Sequence, residues 1–277
     1  MAVSGFVLKN SPIALVIGQV GFSLAPELRE SDRRLREGFK RLGLPILEAM
    51  DVTTPVAARQ IQLHFQIGPR GQVPAHSQGG TTFFFSNPEK TEGVSISPQH
   101  LAFVVNKYDT FKTFNERVGG IVECITNEFP EIYFANIGLR YLNVFLPKEI
   151  PSKWLATSVQ GIATDGIETK HFHHKYEFWC ATTTGVLVAR CTLEHGGKPP
   201  NISIGDALFP EHLVFSRKEH VYHLDIFENR KPLDPQQRLS STNVCDCFDE
   251  QHRNIDKAFL GLLSKSGLEN FGWKEKN

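Results

Sequence analysis

The chain has 277 residues, 40 % of them hydrophobic and 22 % charged, a balance that fits a globular protein and excludes disordered and fibrous classes. Thirty Lys and Arg offset thirty Asp and Glu, so no overall field draws the molecule to nucleic acid or to an anionic bilayer. No apolar run reaches the roughly 18–20 residues of a membrane span, and the first residues lack the basic and apolar parts of a signal peptide, so a cytoplasmic protein without a membrane partner is expected.

From Ile13 to Ser23 apolar residues fall on both parities, which predicts a strand buried on both faces. Ser31-Asp32 offers an N-cap for a helix in which Leu35, Phe39 and Leu42 share a face, while Arg33, Arg34, Arg36, Lys40 and Arg41 form a solvated basic side; Gly43 and Pro45 stop it. Between Ala57 and Asn106 the period becomes two. Ile61, Leu63, Phe65 and Ile67 alternate with Gln60, Gln62, His64 and Gln66, and the short apolar runs Phe83 to Phe85 and Leu101 to Val105 follow, an antiparallel meander. Asp109 or Thr110 caps a second helix on which Phe111, Phe114, Val118, Ile121, Val122 and Ile125 recur, and Ile132 to Leu146 is a long strand. Phe172 to Thr183 and Val186 to Leu193 form a hairpin, Gly196-Gly197 begins a loop, and His220 to Phe227 is one more strand. The last helix carries Phe248, Ile255, Phe259, Leu260 and Leu263 as a stripe.

Each half therefore reads as antiparallel strands with one long amphipathic helix. The expected fold class is α+β, with two antiparallel-sheet lobes, residues 1–150 and 151–277, as candidate pseudo-repeats. Twenty-one Phe against two Met point to a core of rigid rings on strands. Five cysteines without a C-x-x-C pair read as reduced thiols. Cys245 and Cys247 at the start of the last helix would have lowered thiol pKa values if the helix dipole dominates.

Two stretches act as signatures: Leu8-Lys9-Asn10-Ser11-Pro12-Ile13, and Ile137-Gly138-Leu139-Arg140-Tyr141-Leu142-Asn143. With Tyr108, Phe111, Phe114, His252, Phe259 and Trp273 they resemble, nearly end to end, a sporadically distributed prokaryotic family without an assigned biochemical activity. The resemblance implies a stand-alone accessory protein of mobile or phage-defence loci, and it brings no catalytic residues. The chain departs from the family pattern around Leu233 to Cys247.

Arg140 is a cation inside an apolar strand, so it needs a carboxylate, carbonyls or a bound anion. It either ties the two lobes together or anchors an anionic ligand, with Tyr141, Asn143 and Asn10 as further candidate ligand-binding residues. Tyr141 and Asn143 belong to the face opposite Arg140 and Leu142. His171 and His173 share a strand face, as do His223 and Asp225; if their strands neighbour one another, the four could hold a metal. His252 and Asp256, four apart on a helix, are either a surface ion pair or an oriented general base.

Gly93-Val94-Ser95-Ile96-Ser97 fails the nucleophile-elbow pattern, and no phosphate-binding loop, H-E-x-x-H or dinucleotide fingerprint occurs. The reading favours binding over catalysis: a non-catalytic regulatory accessory protein without a cofactor, whose partner is another protein or a small anionic ligand, with a homodimer as a further expectation and nucleic acid disfavoured. The alternative is a metal-dependent hydrolase or nuclease built on the two histidine-bearing pairs.

Overall fold

The computed structural model describes residues 12–23, 32–51, 81–145, 154–159, 174–183, 185–197, 215–231, 234 and 236–270. The strands are β1 (Ile13–Phe22), β2 (Ile46–Asp51), β3 (Thr81–Ser86), β4 (Glu92–Ser97), β5 (His100–Val105), β6 (Phe134–Phe145), β7 (His174–Ala181), β8 (Gly185–Gly197) and β9 (Phe215–Arg230). The helices are α1 (Asp32–Arg41), α2 (Phe111–Glu128), α3 (Ser241–Leu262) and α4 (Lys265–Asn270). The fold is α+β around a nine-stranded antiparallel sheet of order β2-β3-β4-β5-β1-β6-β9-β8-β7.

The expected boundary near residue 150 does not interrupt this sheet, because β6 pairs with β9 over nine residues of register, Ile137 to Phe145. The two halves share one sheet and one layer of helices. Outward from the β1–β6 pair the order is β5, β4, β3, β2 on one side and β9, β8, β7 on the other. β1 at the centre thus has β5, the last strand of the β2–β5 meander, beside it, and β6 has β9, the last of β7–β9.

Local chemistry sets the helix ends. Thr110 accepts a hydrogen bond from the Thr113 N–H at 3.2 Å to start α2, and Ser240 accepts from the Asn243 N–H at 3.2 Å to start α3. At the end of α1, Gly43 has φ +77°, and the Leu44 N–H reaches back to the Phe39 carbonyl at 2.9 Å, which closes the last turn.

One face of the sheet forms the main core with the helices. Val16, Val20, Phe103, Leu139, Tyr141, Leu224 and Ile226 meet Phe114, Val118, Phe248 and Ile255 there. Phenylalanine rings carry the contact: Phe39 stacks on Phe85 at 4.4 Å, and Phe114 lies 5.3 Å from Phe103 and 6.2 Å from Phe248. Burial of each ring contributes about 1.5–3 kcal/mol. Rings from α2 and α3 meet over Gly18 of β1, where a Cβ would stand 3.0 Å from both Phe114 and Phe248. Gln251 of α3 donates to the carbonyls of Ile137 and Glu228, and so pins the helix across the β6–β9 seam. The opposite face is buried as well, through Leu15, Ile17, Leu142, Val188 and Phe227.

Several details differ from the expected elements. β2 follows α1 where only a helix stop was read; its apolar residues Ile46, Leu47, Ala49 and Met50 fall on both parities and do not alternate. Gly196-Gly197 continues β8 through a register shift instead of opening a loop, and β9 begins at Phe215, ahead of His220. The segment with Gln60, Gln62, His64 and Gln66 lies outside the described residues. No described helix is long and apolar enough to cross a membrane.

Candidate functional site

On the sheet face away from the helices, Arg140 finds a carboxylate. The β6–β9 register sets Leu142 opposite Asp225 and Arg140 opposite Phe227, so the cation and the acid are diagonal neighbours on one face. The guanidinium grips Asp225 with Nε to Oδ1 at 2.7 Å and Nη2 to Oδ2 at 2.8 Å, and both side chains are buried. This fork joins the two halves of the chain.

The lattice continues outward. Arg190 of β8 lies opposite Asp225, with Nη1 at 3.9 Å from its Oδ2, and donates from Nε to Glu177 of β7 at 2.5 Å. Glu177 also receives Trp179 Nε1 at 2.5 Å and has Lys175 Nζ at 3.5 Å. Burial alone would raise the Glu177 carboxyl, but the Trp179 and Arg190 hydrogen bonds and the Arg190 and Lys175 charges outweigh it and hold it below its usual value. The Phe227 ring lies under both guanidinium groups, 5.9 Å from Arg140 and 4.9 Å from Arg190. His223 shares this face, and burial lowers its imidazole to about 4 against the opposing pull of Asp225.

A second cluster lies on the helix side. Tyr108 and Tyr141 place their hydroxyls 3.3 Å apart, the Tyr141 hydroxyl is 3.1 Å from His252 Nδ1, and His252 Nε2 is 3.4 Å from Asp256 Oδ2. Phe111 stacks on the imidazole with centroids 3.9 Å apart. Burial raises Asp256 to about 7 and lowers His252 to about 4, so desolvation favours the uncharged pair. Burial also raises the Tyr141 hydroxyl well above its usual range and raises Tyr108. All hydrogens along this series can point either way, Asp256 to His252 to Tyr141 to Tyr108 or the reverse, the neutral His252 imidazole keeping one donor and one acceptor nitrogen in both.

The sheet separates the candidates that were grouped from sequence. Arg140 faces Asp225, while Tyr141 faces the helices; Asn143 is buried and donates to the Leu224 carbonyl at 3.1 Å. Asn10, His171 and His173 lie outside the described residues. β8 stands between β7 and β9, so the hairpin strand and the His223 strand are second neighbours, not direct ones. A metal at His223 and Asp225 requires Asp225 to release Arg140, and no group of three or more metal-binding side chains occurs among the described residues. Burial, with help from Asp249 and Asp246, raises Cys245 to about 11 and prevails over the helix dipole; Cys247 is raised as well, first by burial. Arg190 and Glu177 were overlooked in the sequence, although Arg190 shows the signal that singled out Arg140, a cation flanked by Val188, Ala189 and Cys191 in a strand.

No family model, curated protein or solved structure matches this chain.

Proposed function

We propose that this protein works by binding, as a cytoplasmic, non-catalytic accessory or regulatory protein, and that another protein docks along β7. The observation that carries the reading is Phe178. It is 41 % exposed on the strand that ends the described sheet, and only Tyr133 is a comparably exposed large hydrophobic residue among the described ones. A terminal strand presents backbone donors and acceptors to an incoming extended segment, and a projecting aromatic ring gives that segment an apolar anchor. The sequence resemblance supports an accessory role in a mobile or phage-defence locus. The strand order supports a repeated plan, in which a central strand, a returning meander and a long helix occur twice.

The test uses the purified products of the genes flanking this one, titrated by calorimetry against the wild type, Phe178→Lys and Tyr133→Lys. Docking at β7 predicts that one product binds and that Phe178→Lys weakens it at least tenfold, while Tyr133→Lys does not. Equal affinity for all three proteins, or binding by none of the products, rejects the reading.

A further inference from the structure

We propose that Arg190, Thr192 and His223, on the face of the sheet away from the helices, bind a small oxyanion, a phosphate or a carboxylate. Arg190 and Thr192 are two apart on β8 and project to the same side, and the β8–β9 register sets Thr192 opposite His223 and Arg190 opposite Asp225. The three side chains therefore border one patch at the β7 end of the sheet.

Each carries hydrogen-bonding capacity that the described residues leave unused. The Arg190 guanidinium has five N–H donors, and one, on Nε, goes to Glu177. Its approach to Asp225 at 3.9 Å is too long for a hydrogen bond, and both Asp225 oxygens already accept from Arg140. His223 is 2 % exposed and its Nδ1 has no partner. Thr192 as a residue is 5 % exposed, and its hydroxyl makes no hydrogen bond with any described residue. An unmet polar atom buried as deeply as His223 Nδ1 is rare, and a ligand that accepts hydrogen bonds accounts for it together with the spare Arg190 and Thr192 donors.

Charge fixes the sign of that ligand. Lys175, Arg190 and Arg140 face two carboxylates, Asp225 and Glu177, which leaves one surplus positive charge among the described residues of the cluster. Arg140 and Arg190 each face a carboxylate, so the surplus charge is the half-exposed Lys175, and an oxyanion would balance it while taking up the outer Arg190 donors and the Thr192 hydroxyl. The neutral imidazole, with its hydrogen on Nδ1, supplies one more donor. A metal cation meets the opposite situation, because the same surplus repels it and the nearest carboxylates are engaged. Lys175, half-exposed on β7, marks the solvent side of the patch.

This inference is independent of docking at Phe178, since it rests on the interior of β8 and β9. The test titrates the full chain with inorganic phosphate and, separately, with acetate, at constant ionic strength set by sodium chloride. One anion should raise the unfolding temperature saturably and shift the imidazole nitrogen resonances of His223. Thr192→Val, nearly equal in shape, and Arg190→Lys, equal in charge, should each weaken that response at least tenfold. Which anion saturates separates a phosphate ligand from a carboxylate one. The proposal is overturned if neither anion gives a saturable response and the His223 resonances stay put, or if Thr192→Val binds as tightly as the wild type.

Discussion

Burial holds the His223 imidazole uncharged down to about 4, so this one ring makes stability depend on pH. Well above 6.5 it is uncharged in both folded and unfolded chains and contributes no slope. As pH falls through the ordinary value of 6.5 the unfolded chain takes up a proton, and the folded chain does so only near 4, so stability is lost across that window. The loss by pH 4.5 is about 2–3 kcal/mol. His252 is lowered alike, yet Asp256 beside it is raised to about 7, and the folded pair keeps one proton over nearly the range in which the unfolded pair does. Folding moves that proton from ring to carboxyl with little net uptake. Urea unfolding at pH 6.5 and 4.5 should therefore show a loss about 2–3 kcal/mol smaller in His223→Phe than in the wild type. An equal loss would mean that His223 charges freely in the fold. The residue itself was visible in the sequence, but its burial was not, because burial depends on strand neighbours that local pattern does not encode.

At the scale of elements, the Arg140–Asp225 fork fastens β6 to β9 between residues 85 positions apart. Removing one partner strands a buried charge, while removing both removes the need for either. Arg140→Ala should cost about 3–5 kcal/mol in denaturant unfolding, and Arg140→Met with Asp225→Leu should recover most of it. A double variant as unstable as the sum of two single losses would show that the fork contributes more than mutual neutralisation. The need of Arg140 for a counter-charge was legible, because an apolar strand with one cation poses that problem openly. The identity of Asp225 was hidden, since it follows from a strand pairing across half the chain. Helices were read well for the complementary reason: the spacing of Phe111, Phe114, Val118 and Ile121 on α2 is local. β2 lacks alternation, and the Gly196-Gly197 end of β8 is turn-like, so neither carries a local strand signal.

For the whole molecule, the sheet crosses the midpoint of the chain without a gap, and α2 and α3 close over Gly18 together. The two lobes expected from the strand and helix pattern thus share one continuous sheet. Fragments 1–150 and 151–277, expressed separately, should each lack a cooperative thermal transition, because each leaves one long edge of β6 or β9 and one helix face bare. A sharp transition in either fragment would restore two independent units. The same connectivity has a consequence for birth on the ribosome. β6 is complete well before β9 exists, and with 85 residues still to come after Arg140, at roughly 5–20 residues per second, its open side waits about 4–17 s for its mate. During that interval the naked guanidinium in mid-strand deters any stray chain from annealing there, so the group that later bolts the sheet first serves as its sentinel.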